Sequence, residues 1–216
     1  MQKIPTQGKI IDITTPISPS MNVFPGDPQP SIEMICTLEK EGCALSRLSF
    51  GSHTGTHVDA PSHILNKGLT VDKLELESLM GRALVLDFTS FSGTLTANIL
   101  EKSFQNAGFP EDLSILLLKT ENLSQKQNNP VYLEKGAASW IVEKGFKAIG
   151  IDSFSVDDLH SGSLPVHHIL LSRNVNIIEC LEFSSVEPGI YFFLCLPLKI
   201  EACDGAPARA LLISYS

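Results

Sequence analysis

The stretch His53-Thr54-Gly55-Thr56-His57-Val58-Asp59-Ala60-Pro61-Ser62-His63 puts three of the chain's six histidines and an aspartate within eleven residues. On a helix His53 and His57 would share a face, but Asp59 would point about 200° away from His57. Gly55 and Pro61 also oppose a helix. On an extended chain the period is two, so His53, Gly55, His57 and Asp59 face one way. The strand reading therefore gathers the metal-capable side chains. Along a flat strand His53 and His57 would stand about 13 Å apart, the limit for two imidazoles on one ion. Gly55 lies between them, where a bend brings them together with no side chain in the way. Two imidazoles and a carboxylate suit Zn²⁺, Mn²⁺ or Fe²⁺ better than Mg²⁺ or Ca²⁺. Three protein ligands leave a position for water, the catalytic pattern. A lone histidine here would read as a solvated strand residue; three in phase with Asp59 favour a metal site.

Around this stretch the chain alternates strands and helices. Ile10 to Thr14 and Ala44 to Phe50 are strand-like, and Pro16 to Pro30 reads as loop and turns, with turn chemistry at Pro25-Gly26-Asp27-Pro28. Arg82 to Phe88, Leu113 to Lys119, Ala148 to Asp152, Val175 to Glu179 and Ile190 to Leu196 are short apolar runs of the buried-strand kind. Leu95, Ile99, Leu100, Phe104 and Ala107 follow a helical period, with Gly108 as the stop. Ala137 to Lys144 forms a second helix closed by Gly145, and a third starts at Pro165, the favoured first position. The expected class is α/β, a single domain over residues 1–216, with early strands available for hairpins or a barrel-like sheet.

Composition narrows the function. The chain has 216 residues, 43% of them hydrophobic, and 16 basic against 24 acidic residues give a net charge of −8. That excludes a disordered chain. No basic stripe offsets the acidic balance, so no nucleic-acid partner is expected. The five cysteines form no disulfide framework, and Met1 to Gln7 lacks the apolar stretch of a secretory leader. The longest apolar run, Ile190 to Leu198, is too short to span a membrane and contains Pro197. The expectation is a soluble, reduced, cytoplasmic protein with no membrane partner.

The run from His53 to His63 resembles the H-x-G-T-H-x-D-A-P-x-H signature of the cyclase family, which includes bacterial kynurenine formamidases and isatin hydrolases. Similarity extends to Ile11-Asp12-Ile13 and Phe24-Pro25-Gly26-Asp27-Pro28, and to Gly150-Ile151-Asp152-Ser153-Phe154-Ser155-Val156-Asp157. It continues through Leu164-Pro165-Val166-His167-His168, Ile177-Ile178-Glu179-Cys180-Leu181 and Asp204-Gly205-Ala206-Pro207-Ala208-Arg209. The resemblance implies a mixed, partly barrel-like sheet with flanking helices, of the swivelling β/α/β type. It implies that His53, His57 and Asp59 bind a first divalent ion, Zn²⁺ or Mn²⁺. Asp59, His167 and Glu179 would hold a second, in members that carry two ions. It also implies that His63 transfers protons and that the chain forms a homo-oligomer, a dimer or larger.

The activity implied is metal-dependent hydrolysis of an amide C–N bond, first of all in an aryl formamide such as N-formylkynurenine of tryptophan catabolism. The alternatives are hydrolysis or cyclisation of a lactam, lactone or other cyclic amide, and a non-catalytic ligand-binding protein. The intact His63 argues against the last. Phe24 stands where formamidases of the family often carry a tryptophan, and the single tryptophan, Trp140, falls in a helix as a core residue. His168 and His160 read as surface or loop. Asp152 and Arg209 are equally suited to structural bonds or to ligand contacts, and Cys180 reads as a buried thiol rather than a nucleophile.

Overall fold

The computed structural model describes residue 5 and residues 8–108, 112–121 and 130–215. Residues 1–4, 6 and 7, read above for a leader, lie outside the described residues. The chain runs β1 (Ile10–Asp12), β2 (Ser31–Cys36), α1 (Leu38–Glu41), β3 (Leu45–Ser49), β4 (His57–Asp59), β5 (Met80–Asp87), β6 (Thr94–Leu95), α2 (Ala97–Ala107) and β7 (Ile115–Lys119). There follow β8 (Tyr132–Leu133), α3 (Lys135–Glu143), β9 (Ala148–Ile151), α4 (Pro165–Leu171), β10 (Asn176–Glu179), β11 (Gly189–Pro197) and β12 (Gly205–Ser214).

The main sheet runs β12-β11-β5-β7-β9-β10-β4, and β4 pairs back onto β12, closing a seven-stranded barrel. Strands β5, β7, β9 and β10 are parallel neighbours, and α2, α3 and α4 lie on the three crossovers between them. Parallel neighbours need such long returns, whereas β5, β11 and β12 pair antiparallel. The edge of β12 is shared: Gly205–Pro207 pair with β4, and Leu211–Ile213 pair with β1.

Because β7, β9 and β10 are covered on both faces, they read as continuous apolar runs, and alternate residues feed two cores. Leu116, Leu118 and Ile149 face the helices, against Leu100, Trp140 and Leu170. Ile115, Leu117 and Ile178 face the barrel interior, with Val58, Phe193 and Leu212. Helix α2 opens at Thr96, whose Oγ1 accepts from Ile99 N at 3.3 Å, and ends at Gly108 in the left-handed region. The expected α/β class and mixed, partly barrel-like sheet with flanking helices are what the chain forms.

Candidate metal centre

The barrel seam builds the site. His57 and Asp59 are two apart on β4 and share a face, and antiparallel β10 sets Glu179 directly opposite His57. His53 does not belong to that strand: the extended segment begins only at His57, so the expected extended face from His53 to Asp59 is shorter than the spacing suggested. Instead the chain turns at Gly55, φ +63°, and the turn brings the His53 and His57 rings to 4.9 Å between centroids. A side chain at Gly55 would be strained there and would also meet Ile17. His167 is the third residue of α4, and His63 ends a 3-10 turn, Pro61–His63, just after β4.

The nitrogens and oxygens converge. His53 Nδ1 lies 2.8 Å and His57 Nε2 3.2 Å from Asp59 Oδ1, and His57 Nε2 is 3.5 Å from Glu179 Oε2. His167 Nε2 lies 3.3 Å from Asp59 Oδ2 and 3.4 Å from Glu179 Oε1. Two atoms each about 2.0–2.2 Å from one ion stand roughly 3–3.4 Å apart, so these separations suit shared coordination. His57 Nε2 and Asp59 Oδ2 are buried with no hydrogen-bond partner, which a protein tolerates poorly without an ion to satisfy them. The residues present fit a divalent metal.

The outer nitrogen of each ring is held. His57 Nδ1–H donates to Gly55 O at 2.7 Å, His167 Nδ1–H to Asp157 Oδ2 at 2.7 Å, and His53 Nε2–H to Asp204 Oδ2 at 3.0 Å. That is how proteins aim histidines at a metal: the outward N–H is fixed, which frees the inward nitrogen. Asp157 also accepts from the Val166 and His167 amides at the start of α4, and Glu179 Oε1 accepts from Val156 N at 2.8 Å.

Two buried carboxylates create a demand for positive charge. Burial opposes ionising Asp59, but the imidazoles of His167, His53 and His57 packed against it outweigh that and hold its pKa well below the usual range. Burial likewise opposes protonating His57 and His167, yet Asp59 beside His57, and Asp157 with Asp59 beside His167, push both well above the ordinary histidine value. A divalent ion answers the same demand. His63 differs: burial dominates and lowers its pKa, leaving it neutral near pH 7. Asp204, opposed by partial burial but hydrogen-bonded by His53, is held down to about 2.

A cavity of about 180 Å³ opens onto this cluster, lined by His63, His167, Phe24, Phe154, Leu164 and Asp27 among others. A larger one, about 500 Å³, is bordered by Lys73, Lys147, Arg173, Glu75 and Glu77, but none of the converging histidines reaches it. All six residues singled out from the sequence, His53, His57, Asp59, His63, His167 and Glu179, therefore meet in one place. Asp157 and Asp204 were missed as functional residues. Asp157 had only its place at the end of the Gly150–Asp157 similarity, and Asp204 only its place before the glycine of Asp204-Gly205.

The remaining candidates resolve into structure. Asp152 accepts from Thr120 and from the Glu121 amide, and burial pushes its pKa up. Arg209 pairs with Asp12 in a two-pronged bridge at the surface. Cys180 is buried beside His57, its thiol pushed up by burial, while its carbonyl accepts from Thr15 and Thr56. His160 and His168 are exposed, and Trp140 packs in the helical core with Nε1–H on Glu101.

The family model described as Putative cyclase matches residues 11–158. The kynurenine formamidase of Bacillus cytotoxicus is 33% identical over 206 residues, spanning 94% of this chain and 96% of its own. The chain belongs to the cyclase family of metal-dependent hydrolases. A solved potential metal-dependent hydrolase with cyclase activity resembles this cyclase-family chain with a TM-score of 0.80 at 31% identity, covering 96% of this chain and 98% of the other. Isatin hydrolase A from Labrenzia aggregata, solved with benzyl benzoate bound, superimposes with a TM-score of 0.83 over 96% of this chain and 94% of its own. At 22% identity that likeness is one of fold. Clustered histidines and aspartates thus sit on the cyclase-family scaffold as candidate metal-binding catalytic sites.

Proposed function

We propose that this chain is a metal-dependent amidohydrolase that cleaves the C–N bond of an aryl formamide, with N-formylkynurenine as the leading substrate. In this reading His53, His57 and Asp59 hold a first ion, Asp59, His167 and Glu179 a second where two bind, and the ion is Zn²⁺ or Mn²⁺. The observation that carries it is the set of three histidines whose outer nitrogens are anchored while their inner ones converge on buried Asp59 and Glu179. The kynurenine formamidase relatives, alike along nearly the whole chain, support the substrate.

When bound, a divalent ion there supplies an acidified water and an electrophile for the amide carbonyl. The chain's own groups do the rest. His63, neutral at the cavity wall, accepts a proton as the water attacks and returns it to the departing amine. Phe24, Phe154 and Leu164 offer apolar walls for an aryl ring and keep bulk water from the reacting carbonyl. At about 180 Å³ the cavity is small against the roughly 300–1,000 Å³ of drug-sized sites, which favours a small substrate. Phe24, in place of an indole, supports a second reading, hydrolysis of a lactam, lactone or other cyclic amide.

His63→Ala is the test. The variant should fold and bind metal normally but lose turnover by at least 10²-fold, the usual share of a general acid–base. Near-normal rate at saturating metal would remove His63 from the reaction.

Assembly and location belong to the same proposal: one domain, cytoplasmic, working as a homo-oligomer. Among the described residues no helix is long and apolar enough to cross a membrane. Among the described residues, strands β2 and β3 pair only with each other, Ile32 opposite Leu48 on one face and the Glu33–Arg47 ion pair on the other. A lone two-stranded ribbon with its apolar face in water is marginal, which supports cover by a second copy. Sedimentation of the chain as a monomer would count against that.

A further inference from the structure

Asp204 stands in the Cys203-Asp204-Gly205 turn that enters β12. The turn is pinned to the site from two sides. Asp204 O accepts from Ala60 N at 2.9 Å, one residue past Asp59, and Cys203 O accepts from Val71 N at 2.9 Å. It is also shaped around one ring: a Cβ on Gly205 would fall 2.9 Å from His53 Cε1 and 2.9 Å from Val58 O, so only glycine lets the His53 ring lie against this backbone. From that fixed platform a single carboxylate oxygen, Asp204 Oδ2, sits 3.0 Å from His53 Nε2 and 3.7 Å from His63 Nδ1. The two rings are 4.2 Å apart between centroids. His53 is thus held between two carboxylates, Asp204 on Nε2 and Asp59 on Nδ1.

We propose that Asp204 is a positioning residue for both halves of the reaction: it fixes His53 with Nδ1 aimed at the metal, and it steadies His63 for proton transfer. This rests on the amidohydrolase reading only for its second half. For His53, a carboxylate behind the ring holds the proton on Nε2, so Nδ1, which lies 2.8 Å from Asp59 Oδ1, is the nitrogen left to give its lone pair to an ion that Asp59 would share. For His63, the same oxygen is within a small ring rotation of a hydrogen bond to Nδ1, which would orient the ring and stabilise its protonated form after it has taken the proton. Asp204 touches neither substrate nor ion in this role. It acts through the two imidazoles. Its side chain is partly exposed, with Cys203 Sγ 3.4 Å from Oδ1, so removing the charge leaves no large buried void.

The test uses the full chain stripped of metal and titrated with Co²⁺ against a chelator, with no substrate present. Asp204→Asn should weaken Co²⁺ binding by about 10–100-fold and alter the ligand-field absorption of the bound Co²⁺, while the melting temperature of the metal-free protein stays close to wild type. An unchanged affinity and spectrum would overturn the first half. For the second half, Asp204→Asn, His63→Ala and the double variant are compared at saturating metal in a double-mutant cycle on kcat. If Asp204 works through His63 as well as His53, its substitution lowers kcat at least tenfold alone and by a clearly smaller factor once His63 is gone. The same full Asp204→Asn loss in the His63→Ala background would overturn that half. An inactive wild type on every amide tried would instead remove the amidohydrolase reading and leave the Co²⁺ result standing.

Discussion

Asp157 is the side chain whose removal should cost the most for its size. It is 2% exposed, and its carboxylate takes three donors: Val166 N at 2.9 Å, His167 N at 3.0 Å and His167 Nδ1–H at 2.7 Å. Asp157→Ala leaves all three without their acceptor at the buried start of α4. Each unmet buried donor costs roughly 1–3 kcal/mol, and with partial relaxation we expect about 3–5 kcal/mol in all. For a domain of 150–250 residues each kcal/mol moves Tm by about 2–4 °C, so the metal-free variant should melt about 6–20 °C lower. Because the His167 ring also loses its anchor, metal affinity should fall by about 10–100-fold. Asp157→Asn, which keeps one carbonyl acceptor, should land between. Thermal unfolding by circular dichroism and chelator-competition titration read the two effects. A melting temperature within 2 °C of wild type, with metal affinity intact, would refute the reasoning.

Two further predictions follow from the same geometry. Gly205→Ala drives a Cβ to 2.9 Å from His53 Cε1, so it should cost about 1–3 kcal/mol of stability and weaken metal binding; unchanged binding would mean the His53 ring is free to move. In the metal-free fold, His57 and His167 have pKa values raised above the unfolded histidine's, so the stability they contribute is complete below about pH 6.5 and lost as pH rises through the raised values. Metal-stripped protein should therefore melt lower as pH climbs above neutrality, and saturating Zn²⁺ should flatten that decline by supplying the positive charge; a flat or rising metal-free profile would contradict it.

How much could be read from the chain alone depended on whether the cause was local. Leu113 to Lys119 and Ala148 to Asp152 announced themselves because a strand covered on both faces leaves little room for polar residues, and β7 and β9 lie inside those runs. The segment Ala206-Pro207-Ala208-Arg209-Ala210 gave no strand signal, being small residues around a proline. It forms the first half of β12 because β4 and β11 supply its partners. Strand β2, with Ser31 and Glu33 between apolar residues next to a proline-rich loop, was missed for the same lack of a strong pattern.

The site divides in the same way. His53, His57, Asp59 and His63 were legible because their spacing is local, and the bend at Gly55 was anticipated from the span two imidazoles can share. His167 and Glu179 reach Asp59 only through α4 and the pairing of β10 with β4, contacts more than a hundred residues apart that no periodicity encodes. Asp157 and Asp204 were invisible as functional groups, since their role lies in which ring nitrogen they hold.

The measurement that bears most directly on the central claim is hydrolysis of N-formylkynurenine by metal-stripped protein, before and after adding Zn²⁺ or Mn²⁺, followed as kynurenine release. The account predicts no turnover in the stripped protein and restoration by one of the ions to a kcat/KM of at least about 10⁴ M⁻¹s⁻¹. Turnover that survives stripping would contradict the metal's part in the reaction, and no turnover with metal demonstrably bound would contradict the substrate.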